Sequence, residues 1–345
     1  MRMGSSAVGS PFSVSCDMAD PDAEATSGVQ VGLGLWSMRS TVYAPSSWRA
    51  LYQEVCADAR LAEALGFDSL WLAEHHYWYD GWCPQPLIAA SAVLANTNRL
   101  RVGTAMHLLP QHEPRDVARE LSTLQHLHGP RIDLGVGLGY RDEEYDAVDV
   151  PRTVRGRRMS SHLDVLLADT LLDTPPVYVG GIAEPAIRRA GQRGLALLLP
   201  NTLNDTEVKR RIEMANTEAD LHGHPHGRAG MLIDCWITQS ELPVERETYL
   251  NDLARHYREY AGAWYIVDGA PMFSRPDLLD RQSARIRSAA ICGTASDVLE
   301  GLLKIRDLGV NTLVLQIRSD AAPVDYHRVM RELASHVLPG LRSTP

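Results

Sequence analysis

The sequence has no apolar run near the roughly 20 residues that a membrane-spanning helix requires, and it has few cysteines. The five cysteines in 345 residues are scattered, and none forms a C-x-x-C pair. An odd, dispersed set favours a reducing cytoplasm over a disulfide framework. The formal net charge of -9 offers no general attraction for nucleic acid or anionic lipid. We therefore expect a cytoplasmic protein that binds neither nucleic acid nor membrane.

The first 30 residues are rich in Ser, Gly, Ala and Asp and lack the continuous apolar stretch of a secretion signal. A segment of this composition has too little apolar surface to fold alone, so residues 1–30 are predicted to be a disordered N-terminal tail. The remaining residues, 31–345, are numerous enough for one large α/β barrel or for two average domains.

Short apolar runs alternate with amphipathic segments from residue 31 to the end of the chain. Eight runs have the length of strands and are apolar on both faces, and a segment with helical spacing follows each of them. Strands that are buried on both faces belong to a parallel sheet covered by helices. The pattern therefore predicts a (β/α)8 TIM barrel, with a doubly wound open sheet as the alternative. The predicted strands are residues 31–35, 69–73, 100–107, 132–137, 177–180, 196–199, 231–238 and 312–317.

One connection is roughly twice as long as a single crossover needs, because about 70 residues separate the seventh strand from the eighth. Helical spacing recurs there three times, over residues 245–260, 274–289 and 296–308. The last of these is the ordinary barrel helix. Insertions in barrels commonly lie beside the mouth, the end where the strands reach their carboxyl termini. We predict that residues 240–292 form a lid-like insertion.

The active site of a TIM barrel lies at its mouth, and the second strand ends there in Glu74-His75-His76. Neighbouring residues on a strand point to opposite faces, so the two histidines cannot easily share one metal ion, and no metal is expected. Histidine titrates near neutral pH, which suits proton transfer. One imidazole is expected to face the ligand while Glu74 orients its neighbour.

Small residues at three strand ends leave room for a ligand close to the backbone. The fifth strand ends in Gly180-Gly181, directly before a helix that begins near Glu184. Helix starts attract anions, so this turn predicts a phosphate site. Residues 103–106, at the end of the third strand, would let a flat ring lie against the backbone. The glycines at 135, 137 and 139 lack the spacing of a dinucleotide fingerprint, so a Rossmann site is rejected.

Aromatic residues make up only 6% of the chain, yet several fall in predicted mouth loops or in the lid-like insertion. Their clustering favours an apolar, aromatic substrate, with ordinary packing under a loop as the alternative for any one of them. The predicted pocket residues are Trp36, Tyr77, Trp78, Trp82, Trp264 and Tyr265.

Several segments, taken in their order and spacing along the chain, resemble the bacterial luciferase-like flavin monooxygenases. The resemblance covers most of the chain after the predicted tail. Single pieces are common in proteins, and their succession makes the resemblance specific. The segments are residues 57–71, 73–76, 100–104, 109–110, 113–114, 133–145, 176–181, 292–294 and 312–316.

The resemblance implies a barrel that binds reduced FMN, or a deazaflavin coenzyme as in a sister branch of the family. The first histidine of Glu-His-His is the catalytic one in luciferases, so His75 takes that role, with Glu74 assisting it. The backbone of Ala105 and Met106 would lie behind the flavin ring, where the family often has a non-proline cis peptide.

Two positions depart from the luciferase pattern. The reactive cysteine of the fourth strand is replaced by Gly137, and the phosphate-binding acid–serine pair is replaced by Ile182-Ala183. The resemblance then implies that the phosphate is held mainly by the backbone amides of Gly180, Gly181, Ile182 and Ala183.

The activity that the resemblance implies is a two-component monooxygenase. Reduced FMN from a separate flavin reductase would react with dioxygen, and the resulting flavin hydroperoxide would oxidise an organic, hydrophobic or aromatic, secondary-metabolite-like substrate in a dry pocket. Hydroxylation, epoxidation and Baeyer–Villiger insertion remain open. Family analogy implies a homodimer. The rival functions are deazaflavin-dependent hydride transfer and a non-catalytic flavin-binding subunit, and the intact Glu74-His75 argues against the second.

Overall fold

Eight parallel strands close into a barrel in the computed structural model, which describes residues 28–36, 38–77, 83–169, 173–239, 243–267, 270–317 and 325–343. Pairings of the sixth strand with the seventh, of the seventh with the last and of the last with the first complete the circle. The predicted (β/α)8 TIM barrel is confirmed, and the open sheet is excluded. The barrel strands are β1 (Gln30–Trp36), β2 (Ser69–Leu72), β3 (Arg101–Thr104), β4 (Ile132–Val136), β5 (Val177–Gly180), β6 (Ala196–Pro200), β7 (Ala229–Ile237) and β11 (Thr312–Gln316), and β8 (Ile266–Val267), β9 (Ala270–Pro271) and β10 (Ile291–Gly293) lie between β7 and β11.

Helices cover the barrel because their apolar faces pack on the outward-facing apolar side chains of the strands. At the start of α1 the hydroxyl of Ser47 accepts a hydrogen bond from the amide of Ala50, and Gly66 follows the helix with a φ of 85°. Among the described residues, no helix combines the length and the apolar character that crossing a bilayer requires. The helices are α1 (Trp48–Ala64), α2 (Pro86–Ala95), α3 (Pro114–His128), α4 (Asp142–Asp146), α5 (Arg155–Leu167), α6 (Glu184–Gly191), α7 (Asp205–His222), α8 (Pro243–Trp264), α9 (Pro276–Ala289), α10 (Ala295–Asp307), α11 (Tyr326–Glu332) and α12 (Leu338–Arg342).

The long connection after β7 contains the two predicted helices, α8 and α9, in addition to the barrel helix α10. The two pack against each other, and the antiparallel pair β8–β9 lies between them in the chain. The strand β10 extends the sheet beside residues 235–237, at the carboxyl end of β7. The hairpin and β10 were not predicted, because strands of two or three residues contain too few positions to show a period. The insertion therefore starts and ends at the barrel mouth.

The interior of the barrel is filled by side chains. Trp71 is fully buried, packs edge-on against Tyr178 with 5.3 Å between ring centroids, and donates from its indole nitrogen to Ser69 at 2.9 Å. A Cβ atom at Gly103 would lie 2.3 Å from the Trp71 ring, so the glycine of β3 makes room for Trp71. The packed pair of Trp71 and Tyr178 is here called the plug. The plug fills the barrel interior below the mouth, so a ligand of the barrel would lie above it, at the mouth.

Candidate active site

His75 lies at the mouth on the segment that follows β2, and it is almost completely buried. Its Nδ1 atom is 3.5 Å from Oε1 of Glu144, and its Nε2 atom is 3.5 Å from the hydroxyl of Tyr140. Burial lowers the pKa of His75 below its usual value, and Glu144 offsets only part of this effect. The ring is thus neutral near pH 7. A neutral imidazole between a carboxylate and a phenol can accept a proton and return it.

Glu74 forms the centre of a separate buried cluster with three histidines. Its Oε1 atom is 2.9 Å from Nε2 of His76 and 2.8 Å from Nε2 of His112. Its Oε2 atom is 2.6 Å from Nδ1 of His107 and accepts the amide of Leu108 at 3.0 Å. Burial disfavours the ionised form, but His107 and the other donors outweigh it and hold the pKa of Glu74 well below its usual value.

The two carboxylates therefore have different partners. Glu74 contacts the ring of His76, which agrees with the expectation that it orients the neighbouring imidazole. The carboxylate beside the ring of His75 is Glu144, and this partner was not predicted. The resemblance assigned the assistance of His75 to Glu74, whereas the carboxylate in contact with the His75 ring in this structure is Glu144.

Glu74, His107 and His112 also have the ligand chemistry of a metal site, and their potential ligand atoms lie within 4.8 Å of one another. Ligand atoms about 2.1 Å from one tetrahedral zinc ion are about 3.4 Å apart. The contacts of Glu74 with the two histidines, at 2.6 and 2.8 Å, are shorter and have the length of charge-assisted hydrogen bonds. We therefore describe the cluster as a hydrogen-bonded carboxylate.

Glu144 joins the loop after β4 to the segment that carries the histidines. It belongs to α4, and its Oε1 atom accepts the amide of His76 at 3.1 Å. Arg141, buried at the start of the same helix, donates to the carbonyls of His76 and Tyr77 and lies 3.5 Å from Glu144. Glu144 was not predicted, because it lies in a helix after the mouth loop and not at a strand end. The signal that could have found it is the acidic run 142–144 directly after a mouth loop.

Four tyrosines, here called the tyrosine row, cover His75: Tyr140 from the loop after β4, Tyr257 and Tyr260 from α8, and Tyr265 directly after α8. Ring centroids are 6.0 Å apart for His75 and Tyr260, 5.2 Å for Tyr140 and Tyr265, and 6.4 Å for Tyr257 and Tyr260. Burial raises the pKa of all four, so their hydroxyls stay protonated at neutral pH. The row keeps water from His75 and supplies hydroxyl groups in its place.

The predicted pocket residues do not all lie in one pocket. Tyr265 belongs to the tyrosine row, and Tyr77 lies at the mouth with its side chain 65% exposed. Trp36 is fully buried, and its indole donates to Asp58 of α1 at 2.8 Å. The structure therefore places it in the layer between the barrel and α1 and not in the pocket, because at the end of β1 its side chain turns outward. Trp78, Trp82 and the side chain of Trp264 lie outside what the structure describes.

The peptide bond between Ala105 and Met106 is cis, as the resemblance implied, and β3 ends just before it rather than at residue 107. The side chain of Met106 crosses the inner face of the mouth. A Cβ atom at Gly137 would lie 2.7 Å from Cβ of Met106, and one at Gly180 would lie 2.6 Å from its Cε. These glycines accommodate Met106, so a flat ring at this place would rest on Met106 and not on bare strands.

The turn between β5 and α6 has the features of an anion site. Gly181 has a φ of 133°, which residues with a side chain rarely adopt. Ile182 and Ala183 are exposed, and no side chain caps the start of α6. Arg211 of α7 donates to the carbonyl of Ile182 at 3.0 Å and so brings a cation to the turn. Exposed amides at a helix start beside a guanidinium favour a bound phosphate. Arg211 was not predicted, because only the packing of α7 brings it here.

Several known proteins are similar to this chain in sequence. Two alkanal monooxygenase alpha chains, from a Kryptophanaron alfredi symbiont and from Photorhabdus luminescens, are each 26% identical over 187 and 234 residues, which are 47% and 61% of this chain. The aligned regions span only 52% and 65% of those relatives. The 4-hydroxyprotoasukamycin monooxygenase of Streptomyces nodosus subsp. asukaensis is 28% identical over 300 residues, which cover 74% of this chain and 80% of the relative.

Solved structures share the fold at low sequence identity. Monooxygenase RslO1 from Streptomyces bottropensis has a TM-score of 0.74 at 21% identity, covering 90% of this chain and 99% of its own. The oxygenating constituent of 3,6-diketocamphane monooxygenase from Pseudomonas putida, in complex with FMN, has a TM-score of 0.72 at 16% identity, with coverages of 91% and 98%. An F420-dependent secondary alcohol dehydrogenase also has a TM-score of 0.72, at 17% identity, with coverages of 92% and 100%.

A closed barrel with ionisable side chains gathered at the carboxyl ends of its strands has the architecture of a TIM-barrel enzyme. The model of the luciferase-like monooxygenase family matches residues 35–312. The chain therefore belongs to the luciferase-like monooxygenase family.

Proposed function

We propose that the protein is a flavin-dependent monooxygenase that uses reduced FMN and dioxygen to oxidise an organic, largely apolar or aromatic substrate. The observation that carries this proposal is His75, a buried neutral imidazole at the barrel mouth, placed beside Glu144 and beneath the tyrosine row. Activation of dioxygen for oxygen transfer requires a proton carrier in a site that excludes water. His75 and its cover combine these two properties.

The residues around His75 fit a phosphorylated flavin. The turn from Gly180 to Ala183, with the positive φ of Gly181 and the guanidinium of Arg211, would hold the phosphate. Met106, lying across Gly137 and Gly180, would support the flat ring. These contacts use backbone amides and apolar surface, which agrees with the loss of the acid–serine pair at positions 182 and 183.

Reduced FMN, when bound, would supply the electrons that activate dioxygen for transfer of one oxygen atom to the substrate. His75 would accept a proton at Nε2 and return it, with the hydroxyl of Tyr140 as its neighbour on that side. Glu144 would keep the ring oriented through Nδ1 and favour its protonated form. The tyrosine row would exclude water during the reaction.

The substrate and the protein partners are also part of the proposed function. An aromatic substrate is supported by the exposed ring of Tyr77 at the mouth and by Tyr265 within the tyrosine row. A separate flavin reductase is proposed from the family alone. Oxygenation of an organic molecule is supported by the relative that is named a monooxygenase of 4-hydroxyprotoasukamycin. A homodimer is proposed from the family alone and is checked by the mass of the protein in solution.

A second candidate function is hydride transfer with a reduced deazaflavin, which would use the same histidine without dioxygen. It is supported by the F420-dependent alcohol dehydrogenase, whose TM-score equals that of the FMN-bound monooxygenase constituent. The amides that would hold the phosphate of FMN serve a phosphorylated deazaflavin equally well.

One experiment separates these functions. Reduced FMN and reduced deazaflavin are titrated anaerobically into the purified chain, and turnover of candidate aromatic substrates is then followed with and without dioxygen. The proposal expects tighter binding of reduced FMN and an oxygen-dependent product that carries one atom from labelled dioxygen. Anaerobic turnover with the deazaflavin would establish the second function instead. Binding of reduced FMN without product from any substrate would leave the non-catalytic subunit as the better description.

A further inference from the structure

Asp234 lies on the inner face of the barrel mouth, on the wall formed by β7 and β11. It pairs in register with Gln316, the last residue of β11. Leu232, two positions earlier on β7, packs against the side chains that fill the barrel, and alternate residues of a strand share a face. Asp234 is therefore one step nearer the mouth than the plug and points to the same interior.

The carboxyl group of Asp234 is only half satisfied. The hydroxyl of Tyr257 donates to its Oδ1 atom at 3.4 Å, and the side-chain amide of Asn201 also donates to the carboxyl. Its Oδ2 atom is buried and has no hydrogen-bond partner in the part of the chain that the structure describes. Within that part, no arginine, lysine or histidine forms an ion pair with Asp234. A buried polar atom without a partner costs stability, so it needs a physical reason, such as a functional role or a bound group that supplies the missing donor.

The surroundings indicate what kind of group is missing. Tyr257 and Asn201 both act as donors towards this carboxyl, so the site is arranged for a carboxylate that accepts hydrogen bonds. A third donor, from a ligand, would complete it at Oδ2. Burial is the main reason why the pKa of Asp234 is raised to about 7, and a donating ligand would favour the ionised form.

The wall with Asp234 is connected to His75 by aromatic rings. Tyr257 bonds to Asp234 and neighbours Tyr260, whose ring centroid is 6.0 Å from that of His75. Tyr260 and Tyr257 meet nearly edge to face, at 78° between ring planes. A flat ring adds readily to such an arrangement, because aromatic pairs favour edge-to-face contacts at these distances.

We propose that Asp234, Asn201 and Tyr257 form a substrate subsite that accepts the hydroxyl group of a phenolic ring. The phenol donates its proton to Oδ2 of Asp234, and its ring lies along the tyrosine row towards His75. That the bound phenol is the substrate rests on the proposed oxygenase function. That the site binds a phenol rests only on the geometry around Asp234. An electron-rich hydroxylated ring is also the type of arene most readily oxidised by an electrophilic oxygen donor.

The test measures binding to the full chain by isothermal titration calorimetry, without flavin or dioxygen. The probes share one ring system: 1-naphthol donates, 1-methoxynaphthalene and 1-acetylnaphthalene only accept, and 1-naphthylmethylammonium carries a positive charge. At pH 8, above the pKa of about 7, the carboxyl of Asp234 is ionised. Wild type is there expected to bind 1-naphthol about tenfold or more tightly than 1-methoxynaphthalene, because a hydrogen bond to a charged group discriminates by this order. Tighter binding of the acetyl or the ammonium probe would overturn the proposal.

Three variants assign the effect. Asp234→Ala is expected to bind the naphthol and the methoxy probe within about twofold of each other, and Asp234→Asn gives the same comparison with the size of the side chain preserved. Tyr249→Phe is the matched control. It removes a buried hydroxyl that has no partner in the described residues, from the same helix as Tyr257, where Tyr249 stacks on Trp236. Undiminished preference for 1-naphthol in both Asp234 variants would overturn the proposal.

The outcome is distinguishable from that of the proposed function. If oxygen transfer occurs with reduced FMN but naphthol binding does not depend on Asp234, the subsite is wrong and the monooxygenase function stands. If naphthol binding depends on Asp234 but no phenol receives oxygen, the subsite stands and its assignment to an oxygenase is wrong.

Discussion

The imidazole of His75 and the carboxylate of Glu144 meet across two loops, with Nδ1 and Oε1 3.5 Å apart. His75 follows β2 and Glu144 follows β4, so the contact exists only because the barrel brings the two strand ends to the same mouth. The buried carboxylate favours the protonated form of an imidazole that burial otherwise keeps neutral. The pair therefore sets both the direction of the ring and the pH at which it takes up a proton.

Glu144→Gln tests this positioning role. Loss of the charge is expected to lower kcat about tenfold and to shift the limb of the pH–rate profile that reports His75 to lower pH, because Glu144 raises the pKa of His75. The control is Glu143→Gln, which changes an exposed neighbour on the same helix. Equal profiles for the two variants would show that Glu144 only stabilises the loop.

His75→Ala tests the proton carrier itself. Coupled product formation is expected to fall by about 10²–10⁴-fold, the usual contribution of a general acid–base group, with the thermal unfolding midpoint nearly unchanged. His126→Ala, at an exposed position of α3, controls for loss of an imidazole elsewhere. Near-normal coupled turnover of the His75 variant, measured as product per reduced flavin consumed, would remove the proposed role.

Glu74 is expected to act on stability more than on chemistry. Its pKa is held well below the usual value in the folded protein, so the carboxylate stabilises the fold at pH values above about 4.5, and this stabilisation is lost as the pH falls towards the folded pKa. Glu74→Gln should lower the free energy of unfolding by about 3 kcal/mol at pH 7. The difference between variant and wild type should shrink below pH 4.5. A constant difference from pH 7 to pH 3.5, measured by urea unfolding, would contradict this account.

Met106 and Gly180 are expected to be energetically coupled. The three atoms nearest to a Cβ atom at Gly180 all belong to Met106, at 2.6–2.9 Å, so Gly180→Ala should destabilise the fold by about 1–3 kcal/mol through overpacking. In a Met106→Ala background the same change should cost much less, because the obstructing side chain is gone. The measurement is a double-mutant cycle of thermal or urea unfolding. Additive effects would show that the clash involves the backbone of the turn.

Sequence patterns predicted the barrel but only part of the site. The eight apolar runs identify buried strands, and the position of Glu74-His75-His76 at a strand end was enough to place His75 at the mouth. Glu144, Arg211 and Asp234 were not found, because their roles depend on which loops and helices pack together. Trp36 was misplaced since a residue at a strand end has two possible faces, and the apolar pattern around β1 does not distinguish them.

Burial of the Asp234 carboxyl is expected to cost stability at alkaline pH. Its pKa is raised from 3.8 to about 7 in the folded protein, mainly by burial. Between these pH values the folded protein keeps a proton that the unfolded chain has released, so stability falls as the pH rises, by on the order of a few kcal/mol in total. Asp234→Asn removes this loss.

The stability of the Asp234→Asn variant relative to wild type should therefore be greater at pH 8 than at pH 5, by on the order of a few kcal/mol in the free energy of unfolding measured with urea. Asp280→Asn, which changes an exposed carboxylate on α9, serves as the control and should show no such difference between the two pH values. If both variants respond to pH alike, Asp234 is ionised or solvated in the folded protein, and its unpaired oxygen has another explanation.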